Sequence, residues 1–377
     1  NRIKHMYQRS NFSASLLALC MLTINGCGSD SKSTIETQQT EVDLAIAYSV
    51  SGSAIPATTE FKNSVTTLNT GIDNFCDNKN TDTLAALQSS WQSSFITWYK
   101  VLPFRFGPLT NSDSASAIMD YIDSYRNATA ANRIIYLNDR NPLLSSLKTS
   151  PDAITLTSFE NSRPKDVGLF MLESALFATT ANNTSPALIV AEYDNSAKKC
   201  DIIQALGQEL ANRASDIEDQ WHTNYRSTDK SYEFLFTKNE LENYFSVLDN
   251  DGTGKPASET LIVSIQEFLD FAGNAKLFTE LTVNTDTIWS GLAASIDTID
   301  NLLNQSPLTL LSIIKNNGYE QDMITIEENI ILIKQAINDK NQIDFTAAIR
   351  ALDGHFKTSI LNGLNINKGL TFSDGDS

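Results

Sequence analysis

The stretch TDTLAALQSSWQSSFITWYKVL, Thr81 to Leu102, decides the fold class. Leu84, Leu87, Trp91, Phe95, Trp98 and Leu102 recur at steps of three and four, which sets them on one stripe of an α-helix. A half-buried strand would alternate at every second residue, and this stretch does not. Pro103 ends the helix, since proline lacks the backbone N–H and its ring clashes with the preceding turn. Working outward, CDIIQALGQELANRASDIEDQW repeats the pattern through Ile203, Leu206, Leu210, Ile217 and Trp221. NTDTIWSGLAASIDTIDNLL does so through Ile288, Leu292, Ile296, Ile299 and Leu303, and TIEENIILIKQAINDK and DFTAAIRALDGHFKTSILNGL complete the series. Period-two patterning is confined to short pieces such as DAITLTSF, which read as loop or a small hairpin. These features predict an all-α chain of two packed helical bundles with little or no β-structure. A length of 377 residues agrees with two domains. The polar stretch HTNYRSTDKSY marks their boundary, giving an N-terminal bundle over 51–226 and a C-terminal bundle over 227–377.

The beginning of the chain carries an address. Arg9 is followed by SLLALCMLTI, an apolar run of about ten residues, too short to span a bilayer. It leads into Ile24-Asn25-Gly26-Cys27, in which a small residue directly precedes a cysteine. That pattern is similar to a bacterial lipobox, so residues 1–26 are read as a signal peptide and Cys27 as the lipidated residue. A plain cleaved secretion signal is the alternative. Gly28, in place of an inner-membrane-retaining aspartate, favours an outer-membrane anchor facing the periplasm, with the membrane as partner through Cys27. Residues 27–50, Ser/Thr/Gln-rich from Ser29 to Val50, are expected to be a flexible tether.

Net charge is −17, and removing residues 1–26 takes away Arg2, Lys4 and Arg9 and no acid. So acidic a chain is not a nucleic-acid binder and does not seek an anionic membrane surface. Of four cysteines, Cys76 and Cys200 remain beyond the leader and Cys27, an even pair expected either as a disulfide in an oxidising compartment or as two buried thiols. Catalytic constellations are missing from the sequence. His222 and His355 are the histidines beyond the leader, and no H-E-x-x-H, G-x-S-x-G, P-loop or paired C-x-x-C occurs. DNDGTGKPASE puts Asp249, Asp251 and Thr253 at the first, third and fifth positions of a calcium-type loop, with Gly254 at the sixth. Thr260 then stands at the twelfth position, where a bidentate carboxylate is needed, with Glu259 one residue early, so the segment reads as a turn first and a calcium site second.

Three segments together resemble the imelysin-like family of bacterial envelope proteins. WQSSFITWYKVLPFRFGPL, Trp91 to Leu109, is similar to the family's early helix running into an R-F-G-P turn. Gly168 to Phe177 falls where the family carries G-x-H-x-x-E, and INKGLTFSDGD, Ile366 to Asp376, is similar to its closing segment. The resemblance implies two helical bundles and a metal-binding motif on a helix of the first. It also implies a history of classification as metallopeptidases and, for other members, a tie to iron uptake. Here the match is partial. Gly168 and Glu173 agree, but the histidine position is Phe170, and the positions where relatives carry an arginine and a glutamate on the early helix are Phe95 and Leu102. The chain thus resembles the branch whose motif reads G-L-x-x-L-E.

Glu173 therefore stands alone in an apolar run, GLFMLESALF. A buried carboxylate needs a partner, a proton or a ligand. The first expectation is an ion pair with Arg105 of the R-F-G-P turn; a protonated acid and a ligand-facing carboxylate are the others. Asp374 and Asp376 are expected in a solvated tail, or else as acidic groups in a cleft. Functionally the expectation is a non-catalytic binding or accessory protein of metal (iron) or haem uptake, with uptake components as partners and iron as the candidate ligand. A metallopeptidase and an envelope scaffold are the alternatives.

Overall fold

A computed structural model describes residues 40–111, 116–123, 140, 142–159, 162–246, 254–273 and 285–366. The leader, Cys27, Asp249, Asp251, Thr253, Asp374 and Asp376 lie outside the described residues. The fold is all-α, and no β-strand occurs among the described residues beyond one isolated bridge between Asn224 and Ser231. In chain order the helices are α1 (Glu41–Ser49), α2 (Ile55–Asp77), α3 (Thr81–Val101), α4 (Ile118–Ile122), α5 (142–149), α6 (Gly168–Phe177), α7 (Pro186–Asp194) and α8 (Ala197–His222). They continue as α9 (Tyr232–Thr237), α10 (Leu241–Tyr244), α11 (Ala257–Ala272), α12 (Thr285–Leu303), α13 (Leu310–Asn316), α14 (Glu320–Asn338), α15 (Gln342–Lys357) and α16 (Ser359–Gly363).

The stripe that signalled α3 is the centre of the core: Leu84, Leu87, Trp91, Phe95, Trp98 and Leu102 are all fully buried. Asn80 caps this helix by accepting from the N–H groups of Asp82 and Thr83, satisfying two of the donors that a helix start leaves open. One flank of α3 meets α2, which also packs on α8, and its other flank meets α12. In the C-terminal part α12 packs on α14, α14 on α15, and α15 on α11. Buried serines stitch the two parts through backbone carbonyls: Ser295 Oγ donates to Tyr99 O at 2.5 Å and Ser264 Oγ to Pro103 O at 2.8 Å. Tyr99 O is among the last carbonyls of α3, where Pro103 offers no N–H four residues on, and Pro103 O follows just beyond the helix end.

The later part of the stretch expected as a flexible tether, up to Val50, is ordered helix. Glu41–Ser49 is helix, opened by a capping box in which Thr40 and Asp43 bond each other's backbone N–H. Ala45 and Ile46 are buried, and α1 packs on α9, α11 and α13. The apolar residues Val42, Ala45 and Ile46 recur at helical spacing, which the adjacent polar run masked in the sequence. At the proposed boundary, Tyr225 and Tyr232 are fully buried within the otherwise polar stretch after α8.

Cys76, at the end of α2, is joined to Cys200, at the start of α8, by a disulfide. Cross-linking residues 124 apart in sequence removes loop freedom from the unfolded chain, in the chain-entropy account an effect of about 4–5 kcal/mol.

Candidate functional site

The motif helix α6 begins at Gly168, and its first residue explains why glycine stands there. Gly168 has φ +79°, and a Cβ on it would lie 2.3 Å from the Tyr121 carbonyl oxygen and 2.6 Å from that of Ile122. The glycine thus admits both a left-handed turn and the close approach of α4 to the helix start. Along α6, every residue from Gly168 to Glu173 is buried. Trp91 of α3 donates its indole N–H to Leu169 O at 2.8 Å, fixing the helix against the central stripe.

At the position of the family histidine, Phe170 is 2% exposed and meets Phe95 edge-to-face with ring centroids 6.0 Å apart. Phe95 in turn stacks on Tyr99 and packs on Trp91. Phe170 and Phe95, two positions at which the sequence departs from the expected family pattern, therefore touch one another. Edge-to-face pairs of this kind contribute about 0.5–1.5 kcal/mol beyond the area they bury.

Glu173 is 1% exposed, but Arg105 is not its partner. Arg105, 31% exposed, lies 3.5 Å from Glu267 of α11. The reason is local: the Ser264–Pro103 bond lays α11 along the R-F-G-P turn, and Glu267, three residues on from Ser264, faces the arginine. The turn itself is held by Phe106, stacked on Phe236, and by Gly107, whose φ of +54° and contact with the Tyr232 ring leave no room for a side chain. Arg140, a buried residue in the stretch NDRNPLL, does reach α6. Its Nη1 donates to Phe170 O at 2.6 Å, on the turn of helix that carries Glu173. The Phe170 carbonyl also accepts from Ser174 Oγ. A buried base thus donates to the backbone of the helix that holds the buried acid.

The far end of α6 is held by a second charged cluster. Glu192 of α7 accepts from Lys148 Nζ at 2.8 Å, from Lys199 Nζ at 2.6 Å, and from the backbone N–H and hydroxyl of Thr180. Burial alone would push its carboxyl up, but these hydrogen bonds outweigh that and hold its pKa at about 2. Burial also lowers the Lys199 ammonium, which sits 4.2 Å from the centre of the Tyr193 ring and next to the disulfide.

Neither histidine builds a catalytic group. His355 Nδ1 lies 3.3 Å from Ser359 Oγ, but that hydroxyl donates to Asp322 at 2.7 Å, so its proton is committed to the carboxylate and not to the imidazole, unlike an activated nucleophile. Burial lowers the pKa of His355. His222 is part-exposed between Glu218 and Glu233. Among the described residues no three His, Cys, Asp or Glu side chains converge as metal ligands. Phe170 offers no donor atom, so the residues present at the motif do not fit the metal that the family pattern implies. Thr260, the twelfth position of the calcium-type loop, is buried within α11.

The profile of the imelysin family, a family classed with the M75 peptidases, matches residues 54–311. The chain belongs to the imelysin family. Its fold is similar to an imelysin-like protein from Psychrobacter arcticum 273-4, with TM-score 0.65 and 16% identity, over 88% of this chain and 97% of that one. It is likewise similar to a protein titled "putative iron-regulated protein A precursor" from Parabacteroides distasonis ATCC 8503, with TM-score 0.61 and 13% identity, over the same shares of 88% and 97%. No curated protein matches the chain. No helix among the described residues is long and apolar enough to cross a membrane.

Proposed function

We propose that the protein is a lipid-anchored component of the bacterial envelope, tethered through Cys27 and facing the periplasm, that serves iron or haem uptake by binding and not by peptide hydrolysis. The observation that carries the non-catalytic part is the packing of Phe170 on Phe95 at 6.0 Å, which puts aromatic carbon where the family motif has a metal-binding histidine. A metallopeptidase needs an open metal position, a bound water and a general base. Glu173 is left with neither a histidine beside it nor access to water. The uptake part is supported by membership of the imelysin family and by a structural neighbour named for iron regulation.

The test is a thermal-stability titration of the chain from Thr40 onward with ferrous iron, ferric iron and haem, run beside a peptide-hydrolysis assay. A micromolar ligand at millimolar concentration stabilises the native state by about 4 kcal/mol through mass action. The expected result is a saturable rise with one of the three and no hydrolysis. Metal-dependent hydrolysis would overturn the reading, and a flat response to all three would leave a scaffold role ahead of it.

A further inference from the structure

Helix α1 is two-sided. Ala45, Ile46 and Ser49 are buried, while Glu41, Leu44 and Tyr48, at steps of three and four, form its outward stripe. Helix α9 runs beside it. Asn239, just past α9, donates to Asp43 Oδ1 at 3.1 Å, and the π-turn Val50–Ala54 that follows α1 packs on α9. Within α9, Tyr232, Leu235 and Phe236 are buried and Phe234 is exposed. Among the described residues, the large exposed hydrophobics include four aromatics. Tyr48 is on α1, Phe234 on α9, Tyr244 on the short α10 that follows α9, and Tyr319 just past the end of α13. Since α1 packs on both α9 and α13, the exposed aromatics gather around α1. The exposed aliphatics Leu188, Ile331, Leu332 and Ile343 stand instead on α7, α14 and α15. Apolar residues exposed singly need no explanation, but a group of them marks a surface that meets something.

The chain's own connectivity indicates what that is. Thr40, which caps α1, stands thirteen residues from Cys27. Thirteen residues reach at most about 45 Å when fully extended, so a lipid on Cys27 holds the start of α1 within that distance of a bilayer. Tyrosine, with an apolar ring and a polar tip, suits the level of the lipid headgroups, and leucine and phenylalanine suit the boundary just below. No helix among the described residues is long and apolar enough to cross, so the contact is interfacial. Charge narrows the kind of lipid. Glu41, Glu240 and Glu242 stand on the same segments and disfavour an anionic surface. Lys230, 3.6 Å from the exposed Asp229, also lies 5.2 Å from the centre of the Phe234 ring. A zwitterionic headgroup matches both signs, with an ammonium for the carboxylates and a phosphate for the lysine. We propose that α1 and α9 form a face that lies on a zwitterionic bilayer, with Leu44, Tyr48 and Phe234 at headgroup depth and Tyr244 and Tyr319 at its edge. The proposal rests on the reading of Cys27 as a lipid anchor, and adds to it the side of the fold that meets the membrane.

The test joins the chain from Cys27, through that thiol, to a maleimide-headgroup lipid in phosphatidylcholine vesicles; Cys76 and Cys200 are tied in the disulfide and do not compete. Trp91, Trp98, Trp221 and Trp289 are buried, so a tryptophan placed on the surface reports its own contact with brominated acyl chains, which quench it. Tyr48→Trp and Phe234→Trp should lose emission in bromolipid vesicles, while Leu332→Trp and Ile343→Trp keep theirs. Mixing in anionic phosphatidylglycerol should reduce the loss. Equal quenching at all four positions, or none at Tyr48→Trp and Phe234→Trp, would overturn the face. Dimerisation without quenching would assign it to a second copy of this chain, and quenching that grows with phosphatidylglycerol would overturn the choice of lipid. The anchor is checked apart from these, by the mass of the N-terminal peptide of protein taken from its own envelope. Cys27 without lipid there would overturn the anchor, and the proposal with it, by a route independent of the quenching.

Discussion

Replacing Glu192 by glutamine should lower the free energy of unfolding by about 3–5 kcal/mol, the usual cost of removing one member of a buried ion pair. Lys199 is 2% exposed and receives its compensating charge from Glu192 at 2.6 Å, so the neutral amide strands an ammonium out of water. Lys148 and the Thr180 hydroxyl lose a charge-assisted partner in the same step. Denaturant midpoints of wild type, Glu192→Gln, Lys199→Met and the double variant measure this. The double variant should be far less destabilised than the two single losses added together, since removing both charges leaves no unpaired ion behind. The pH dependence gives a second handle. The folded carboxyl titrates at about 2, below its ordinary value of 4.5. Its contribution is therefore complete above pH 4.5 and is lost as pH falls towards 2, so the gap between wild type and Glu192→Gln should close over that window.

Gly168→Ala should cost more than about 3 kcal/mol, from two causes that act together. An alanine in the left-handed region carries a strain of about 1–2 kcal/mol, and the added Cβ must displace two backbone carbonyls of α4, which have no rotamer to retreat into. Gly354 supplies the comparison. It lies within α15, with nothing within 4 Å of a built Cβ and no positive φ. Gly354→Ala should stabilise by about 0.5–1 kcal/mol, as alanine does in an open helix interior. Chemical denaturation of both variants checks the pair. Equal effects at the two sites would mean that α4 does not press on the start of the motif helix.

What the sequence disclosed follows from the range of the forces involved. The stripe from Leu84 to Leu102 could be read directly because helical periodicity is local, and all six residues are buried as that reading requires. Family identity was legible in the sequence, and the family model matches residues 54–311. The contact between Phe170 and Phe95 was not legible; it depends on α6 crossing α3, some 75 residues away. Charge partners were the least legible. Arg105 was the natural choice for Glu173 because both sit in recognised motifs, yet a hydrogen bond between Ser264 and Pro103 brings Glu267 to it instead. Arg140 reads as punctuation in a loop, and no local pattern marks it as the buried base that reaches Phe170 O.

The central claim is that the motif helix is packed core and not a metal pocket. Calorimetric titration of ferrous iron and zinc into wild type and Glu173→Gln tests it most directly. The account predicts that any metal heat seen for wild type survives in Glu173→Gln with the same affinity and stoichiometry, because Glu173 is buried within packed core and Phe170 offers no ligand. A stoichiometric metal affinity in wild type that disappears in folded Glu173→Gln would contradict it.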